Sequence, residues 1–116
     1  MSASTPEDRL SAAGHTLPAP PPPRGNFAAF HLHAGPAGSQ PLSLSGQTSR
    51  IDGIAVSGSC SGEASVEPAR AAARVAMLNL LAALALAAGG ELPERLRITR
   101  VRGFVRSTAD FTSHTR

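Results

Sequence analysis

Residues 75–88 read Val-Ala-Met-Leu-Asn-Leu-Leu-Ala-Ala-Leu-Ala-Leu-Ala-Ala, a run of fourteen positions with one polar interruption, Asn79. No other stretch of the chain is as continuously apolar, so any fold must bury it. Ser65 offers a helix N-cap, Glu67 suits the positive end of the helix dipole, and Pro68 is tolerated because it falls within the first turn. Gly89-Gly90 ends the pattern. The spacing predicts a helix over about 66–88. Met77, Leu80, Leu81 and Leu84 form its apolar stripe at i, i+3, i+4 and i+7. Leu78 and Leu86 widen the stripe, and Arg70 and Arg74 mark the wet side. The run falls short of the roughly 20 residues that a membrane span needs. It is expected to be a core helix covered on more than one flank.

The rest of the chain must supply that cover. Ser4-x-x-Glu7 and Thr5-x-x-Asp8 both fit a capping box, and Pro6 suits a first turn. With Gly14 as the stop, a short helix is expected over about 6–13. Leu17-Pro18-Ala19 and the four prolines 20–23 then force polyproline II. Such a run is either a ligand for a proline-binding module or, in its ordinary use, a stiff spacer. Phe30 and Leu32 alternate with His31 and His33, Leu42 and Leu44 alternate with Ser43 and Ser45, and Ile54-Ala55-Val56 follows the turn signal Asp52-Gly53. Each pattern predicts a short strand. A longer one is expected over 96–106, with Thr99, Val101, Gly103 and Val105 on one face and Arg100, Arg102, Phe104 and Arg106 on the other. The chain divides into a lead-in, 1–25, and one folded domain, 26–116.

That domain has a lean core. Leu, Ile, Val and Phe make up 24 of 116 residues, against 21 Ala. Chains below roughly 20% in those four types tend to stay disordered, so help from a partner chain is expected. All 11 basic residues are Arg and the acids number 8, a formal net charge of +3. With no Tyr or Trp and only scattered Phe, there is no platform for stacking bases, and nucleic acid is not an expected partner. Cys60 is alone and cannot form an intrachain disulfide. Residues 1–10 lack the apolar core of a signal peptide. A cytoplasmic protein without a membrane segment is the expectation.

Three sets of residues could carry chemistry. Arg100, Arg102 and Arg106 on one strand face would suit an anionic metabolite, because the guanidinium fork makes two parallel charge-assisted bonds to a carboxylate. The competing reading is a solvated or ion-paired face. His31 and His33 share a strand face and could contribute to a zinc site, but zinc takes three or four protein ligands and no third is placed. Cys60 precedes the long helix by five residues and would need a base or helix N-terminus to become a nucleophile. Ser45 and Ser59 lack triad partners, and no phosphate loop or dinucleotide fingerprint is present. Neither a metal nor a cofactor is expected, and no residue is assigned as catalytic.

Leu44-Ser45-Gly46-Gln47, Asp52-Gly53, Met77-Leu78-Asn79-Leu80-Leu81-Ala82, Gly103-Phe104-Val105 and Asp110-Phe111-Thr112-Ser113-His114 occur in that order. Together they resemble the RidA/YjgF family, also called endoribonuclease L-PSP-like. Leu17-Pro18 with its prolines and Gly25-Asn26-Phe27 are similar to one subgroup, so the resemblance covers about 6–114. It implies an α+β, chorismate-mutase-like fold, a mixed sheet with helices on one face, assembled as a homotrimer with small-molecule clefts between subunits. Some members are enamine/imine deaminases that release ammonia, using a carboxylate-binding arginine on a late strand after a second helix. This chain reaches Arg116 where that second helix would begin, so Arg116 is not that arginine. The expectation is a C-terminally truncated member with one long helix on the sheet, the second helix and closing strands missing, binding small molecules without catalysis. The alternative is an enamine/imine deaminase. Leu78 and Leu81 would then face a vacant groove, and the exposed apolar patch would drive self-association.

Overall fold

The structure, a computed structural model, describes residues 4–23 and 25–115. Its elements in chain order are helix α1 (Pro6–Ala12), strands β1 (Phe30–Leu32), β2 (Leu42–Leu44), β3 (Arg50–Ile51) and β4 (Ile54–Ala55), and a 3-10 turn (Glu63–Ser65) that runs straight into helix α2 (Val66–Ala87).

Of the two capping boxes legible at the start, the second forms. The Thr5 hydroxyl accepts the Asp8 N–H, and the Asp8 carboxylate accepts the Thr5 N–H, both at 3.1 Å. Glu7 is used differently: its Oε1 accepts the N–H of Leu92 at 2.9 Å, tying α1 to the chain just beyond α2. Both helices stop in the same way. His15 N–H returns to Leu10 C=O at 2.9 Å and Gly14 N–H to Ser11 C=O at 3.0 Å, while Gly90 returns to Ala85 at 2.7 Å and Gly89 to Leu86 at 3.2 Å. These are paired Schellman bonds, with glycine supplying the positive φ, +87° at Gly14 and +100° at Gly89. Ser65 does not cap α2. It already has helical angles, continuing the 3-10 turn, and its hydroxyl accepts the Ser61 N–H instead.

The strands form two separate two-stranded antiparallel sheets rather than the one mixed sheet expected. In the first, Phe30 faces Leu44, His31 faces Ser43 and Leu32 faces Leu42. The period-2 alternation therefore gathers Phe30, Leu32, Leu42 and Leu44 on one face. In the second, Ile51 faces Ile54 around a two-residue turn. Asp52 (φ +52°) and Gly53 (φ +79°) both sit left-handed, the type I′ geometry that Asp-Gly favours.

Helix α2 packs on β1, β2 and β3. Leu84, Ala85 and Leu92 form the centre of the core, with Leu42 and Leu44 from β2, Leu81 from α2, Leu10 from α1 and Leu17 from the proline-rich lead-in packed around them. The groove expected over Leu81 is thus filled in part by α1 and Leu17, and Leu78 is half-buried. Asn79 is 2% exposed, and its Nδ2 donates to the carbonyls of Thr48 (3.0 Å) and Arg50 (2.8 Å). The stretch Glu63–Ala87 is long and apolar enough, by length and composition, to cross a membrane. Within this structure the helix packs on both hairpins, with 28% of that window buried.

The strand expected over 96–106 does not form. Between Pro93 and Val105 no backbone group makes a backbone hydrogen bond to another described residue, and pairing begins only at an isolated parallel bridge between Ser107 and Cys60. Alternation favours a strand, but a ladder needs a second edge, and neither hairpin presents one there. Large apolar side chains are exposed in this segment, among them Ile98, Val101, Phe104 and Val105, as they are at the second hairpin (Ile51, Ile54 and Val56) and at Phe27, Leu32 and Leu86.

Candidate functional site

The arginine-rich segment is held at both ends and free between them. Leu92 is fixed through Glu7. At the other end Cys60 N–H donates to Arg106 C=O and Thr108 N–H donates to Cys60 C=O, both at 2.9 Å. Every residue over 94–106 is exposed. Arg95, Arg97, Arg100, Arg102 and Arg106 form no ion pair among the described residues; the pair present elsewhere joins Arg70 to Glu67 at 2.9 Å on α2. Arg100, Arg102 and Arg106 are therefore brought into one accessible stretch, although no ladder imposes a shared sheet face on them. Five unpaired guanidinium groups on an uncovered backbone make this the most strongly cationic part of the molecule, alongside Phe104 at 87% exposure. Guanidinium groups are able to make forked charge-assisted bonds to carboxylates and other anions.

The two strand histidines do meet. Their rings lie 4.6 Å apart, edge to face, and His33 Nε2 is 2.7 Å from Ser43 Oγ. No group of three or more potential metal ligands exists among the described residues, so nothing converges on the pair. His114 is bonded elsewhere, with Nε2 3.0 Å from Ser107 Oγ and its ring edge-on to Phe111.

Cys60 is buried against Val66 and Phe111 and acts as a small hydrophobe in a satellite core that anchors the end of the chain. Ser45 donates its hydroxyl to Ala28 C=O and serves the first hairpin. A depression of about 400 Å³ lies between α1 and the end of α2 and is lined mainly by Leu10, Leu81, Leu92 and Leu96, with Arg9 and Glu94 also in its wall. None of the predicted site arginines lines it. Arg116 lies outside the described residues.

Two residues with structural consequences escaped the sequence reading. Asn79 registers only as a polar break in an apolar run, yet it clamps the second hairpin to α2. The one legible signal was its isolation, since a lone amide in a buried run must find partners. Glu7 carries no signal at all for its bond to Leu92, which is 85 positions away.

Among solved structures, the chain is similar to a crystal structure named as a "putative endoribonuclease" from Shewanella oneidensis MR-1. The two share 38% sequence identity and superpose with a TM-score of 0.59. The chain is RidA/YjgF-like. The match takes in 77% of this chain and 56% of that one, so this chain spans little more than half of the solved protein's length. No family model matches the chain, and no curated protein matches it. For the RidA/YjgF-like chain, an α+β build of small antiparallel sheets and one long helix agrees with that likeness.

Proposed function

We propose that this RidA/YjgF-like chain is a cytoplasmic small-molecule-binding protein that works as a homo-oligomer, a homotrimer in a chorismate-mutase-like arrangement, without catalysis of its own. In this reading Arg100, Arg102 and Arg106 take the anionic group of a small metabolite. The observation that carries it is that, among the described residues, no acidic group pairs with these arginines on an exposed segment. A surface row of cations left unpaired is available to a ligand's carboxylate. The oligomer draws support from the exposed Ile98, Val101 and Phe104, large apolar side chains that a subunit interface would cover.

Titration calorimetry with citrate tests the site. Wild-type chain is expected to bind, and Arg102→Ala to weaken binding by roughly tenfold, the loss of one forked charge-assisted pair. Unchanged affinity in Arg102→Ala would remove the arginine row from the reading. The alternative, an enamine/imine deaminase, follows from the family likeness and needs one extra measurement: ammonia release from enamines generated in place, expected to be no faster than without protein.

A further inference from the structure

We infer that His31 and His33 form a copper(II)-binding site on the outer face of the first hairpin, with Ser43 holding the His33 ring in place. This goes beyond the small-anion reading and uses none of its arginines.

The hairpin sets the pair up. Its register puts His31 opposite Ser43, while Phe30, Leu32, Leu42 and Leu44 take the other face, from which Leu42 and Leu44 enter the core. Side chains alternate along a strand, so His31, His33 and Ser43 share the face turned away from that core. All three are exposed. The backbone beneath them is fixed: His33 N–H donates to Pro41 C=O, and Gln40 Nε2 donates to His33 C=O, both at 2.9 Å. The site is thus built from one hairpin alone.

Ring geometry selects the metal. The two ring centroids are 4.6 Å apart. With metal–nitrogen bonds of about 2 Å, imidazoles bound at a right angle place their centroids about 4.5 Å apart, against about 5.2 Å at the tetrahedral angle. The right angle belongs to tetragonal copper(II), the divalent first-row ion that nitrogen ligands hold most tightly. Zinc asks for three or four protein ligands, whereas a two-imidazole chelate with water in the remaining positions suffices for copper. Metal-binding histidines ordinarily give their other ring N–H to an oxygen, and Ser43 supplies it. Its Oγ lies 2.7 Å from His33 Nε2. With Nε2–H donating to that hydroxyl, the lone pair sits on Nδ1, free for the metal. The ring torsion of an exposed histidine is soft, so His31 turns to meet the same ion. Residues 25–49 contain no Arg, Lys, Asp or Glu. No cation of the hairpin repels a dication there, and no carboxylate offers a harder ion such as calcium its oxygen ligands.

The test is titration of the intact chain with copper(II) alone, followed by calorimetry and electron paramagnetic resonance. One copper per chain is expected, with an axial spectrum split by two nitrogens. His31→Ala and His33→Ala should each weaken binding by about tenfold or more and leave one nitrogen coupled. Ser43→Ala should weaken it by about tenfold with both nitrogens still coupled, and Ser43→Thr should restore it, because the hydroxyl orients a ligand without being one. Zinc(II) should bind at least about tenfold more weakly than copper(II). Unchanged copper affinity in either His31→Ala or His33→Ala would overturn the site. So would loss of the two-nitrogen spectrum in His15→Ala or His114→Ala, which would put the copper elsewhere. Equal affinity for zinc would overturn the tetragonal assignment, and copper binding as in wild type by Ser43→Ala would remove the serine from the site. His31, His33 and Ser43 are exposed and outside both core clusters, and an unchanged helical circular dichroism signal verifies that the variants fold.

Discussion

At the scale of single residues, Asn79 does more than any apolar neighbour. Its amide satisfies two carbonyls of the second hairpin from the middle of an otherwise greasy helix. Asn79→Ala leaves both carbonyls without that donor in a buried place, a cost of about 2 kcal/mol. In a core as lean as this one that is a large share of the total, and urea unfolding should show the midpoint fall accordingly. Sequence reading places Asn79 correctly on the helix but cannot name its partners, because a side-chain amide at one position and carbonyls about thirty residues earlier share no local pattern. The same holds for Glu7. Its role is set by where Leu92 arrives, whereas the Thr5–Asp8 box is legible because both members lie within one turn.

At the scale of elements, the legible parts are those whose stabilisation is local. Helix α2, its glycine stop, the capped α1, the two hydrophobic strands of the first hairpin and the Asp52-Gly53 turn all follow from spacing over a few residues. The turn is tested by Gly53→Val. A β-branched residue at φ +79° is strained by roughly 1–2 kcal/mol. The expected result is local opening: faster hydrogen exchange at the Val56 N–H, which bonds Ser49 C=O at 3.1 Å in the hairpin, with exchange in the centre of α2 little changed. The strand expected over 96–106 failed for the opposite reason. Period-2 alternation is present, but the ladder it implies depends on a neighbour that no window of the sequence around Val101 can reveal. Ser65 is a smaller case, a good cap residue pre-empted by a 3-10 turn that already sets its backbone angles.

At the scale of the whole molecule, two small cores share the work. One gathers Leu84, Ala85 and Leu92 with α1 and the first hairpin, and the other holds Cys60, Val66 and Phe111. The arginine row of the candidate site was legible as a set of positions, since composition and spacing alone mark it. Its state, uncovered and unladdered, was not, because exposure is a property of the assembled chain. The bond at Leu92 and the bridge at Ser107 make the intervening stretch a bowstring between two anchored tips. Trypsin cleaves after arginine in accessible, unladdered backbone, and here it meets several such targets between two packed regions. Limited digestion should therefore nick this string first, well before α2 is cut. The severed tail should then stay with the body on native gel filtration, gripped by Phe111, and part from it only in denaturant.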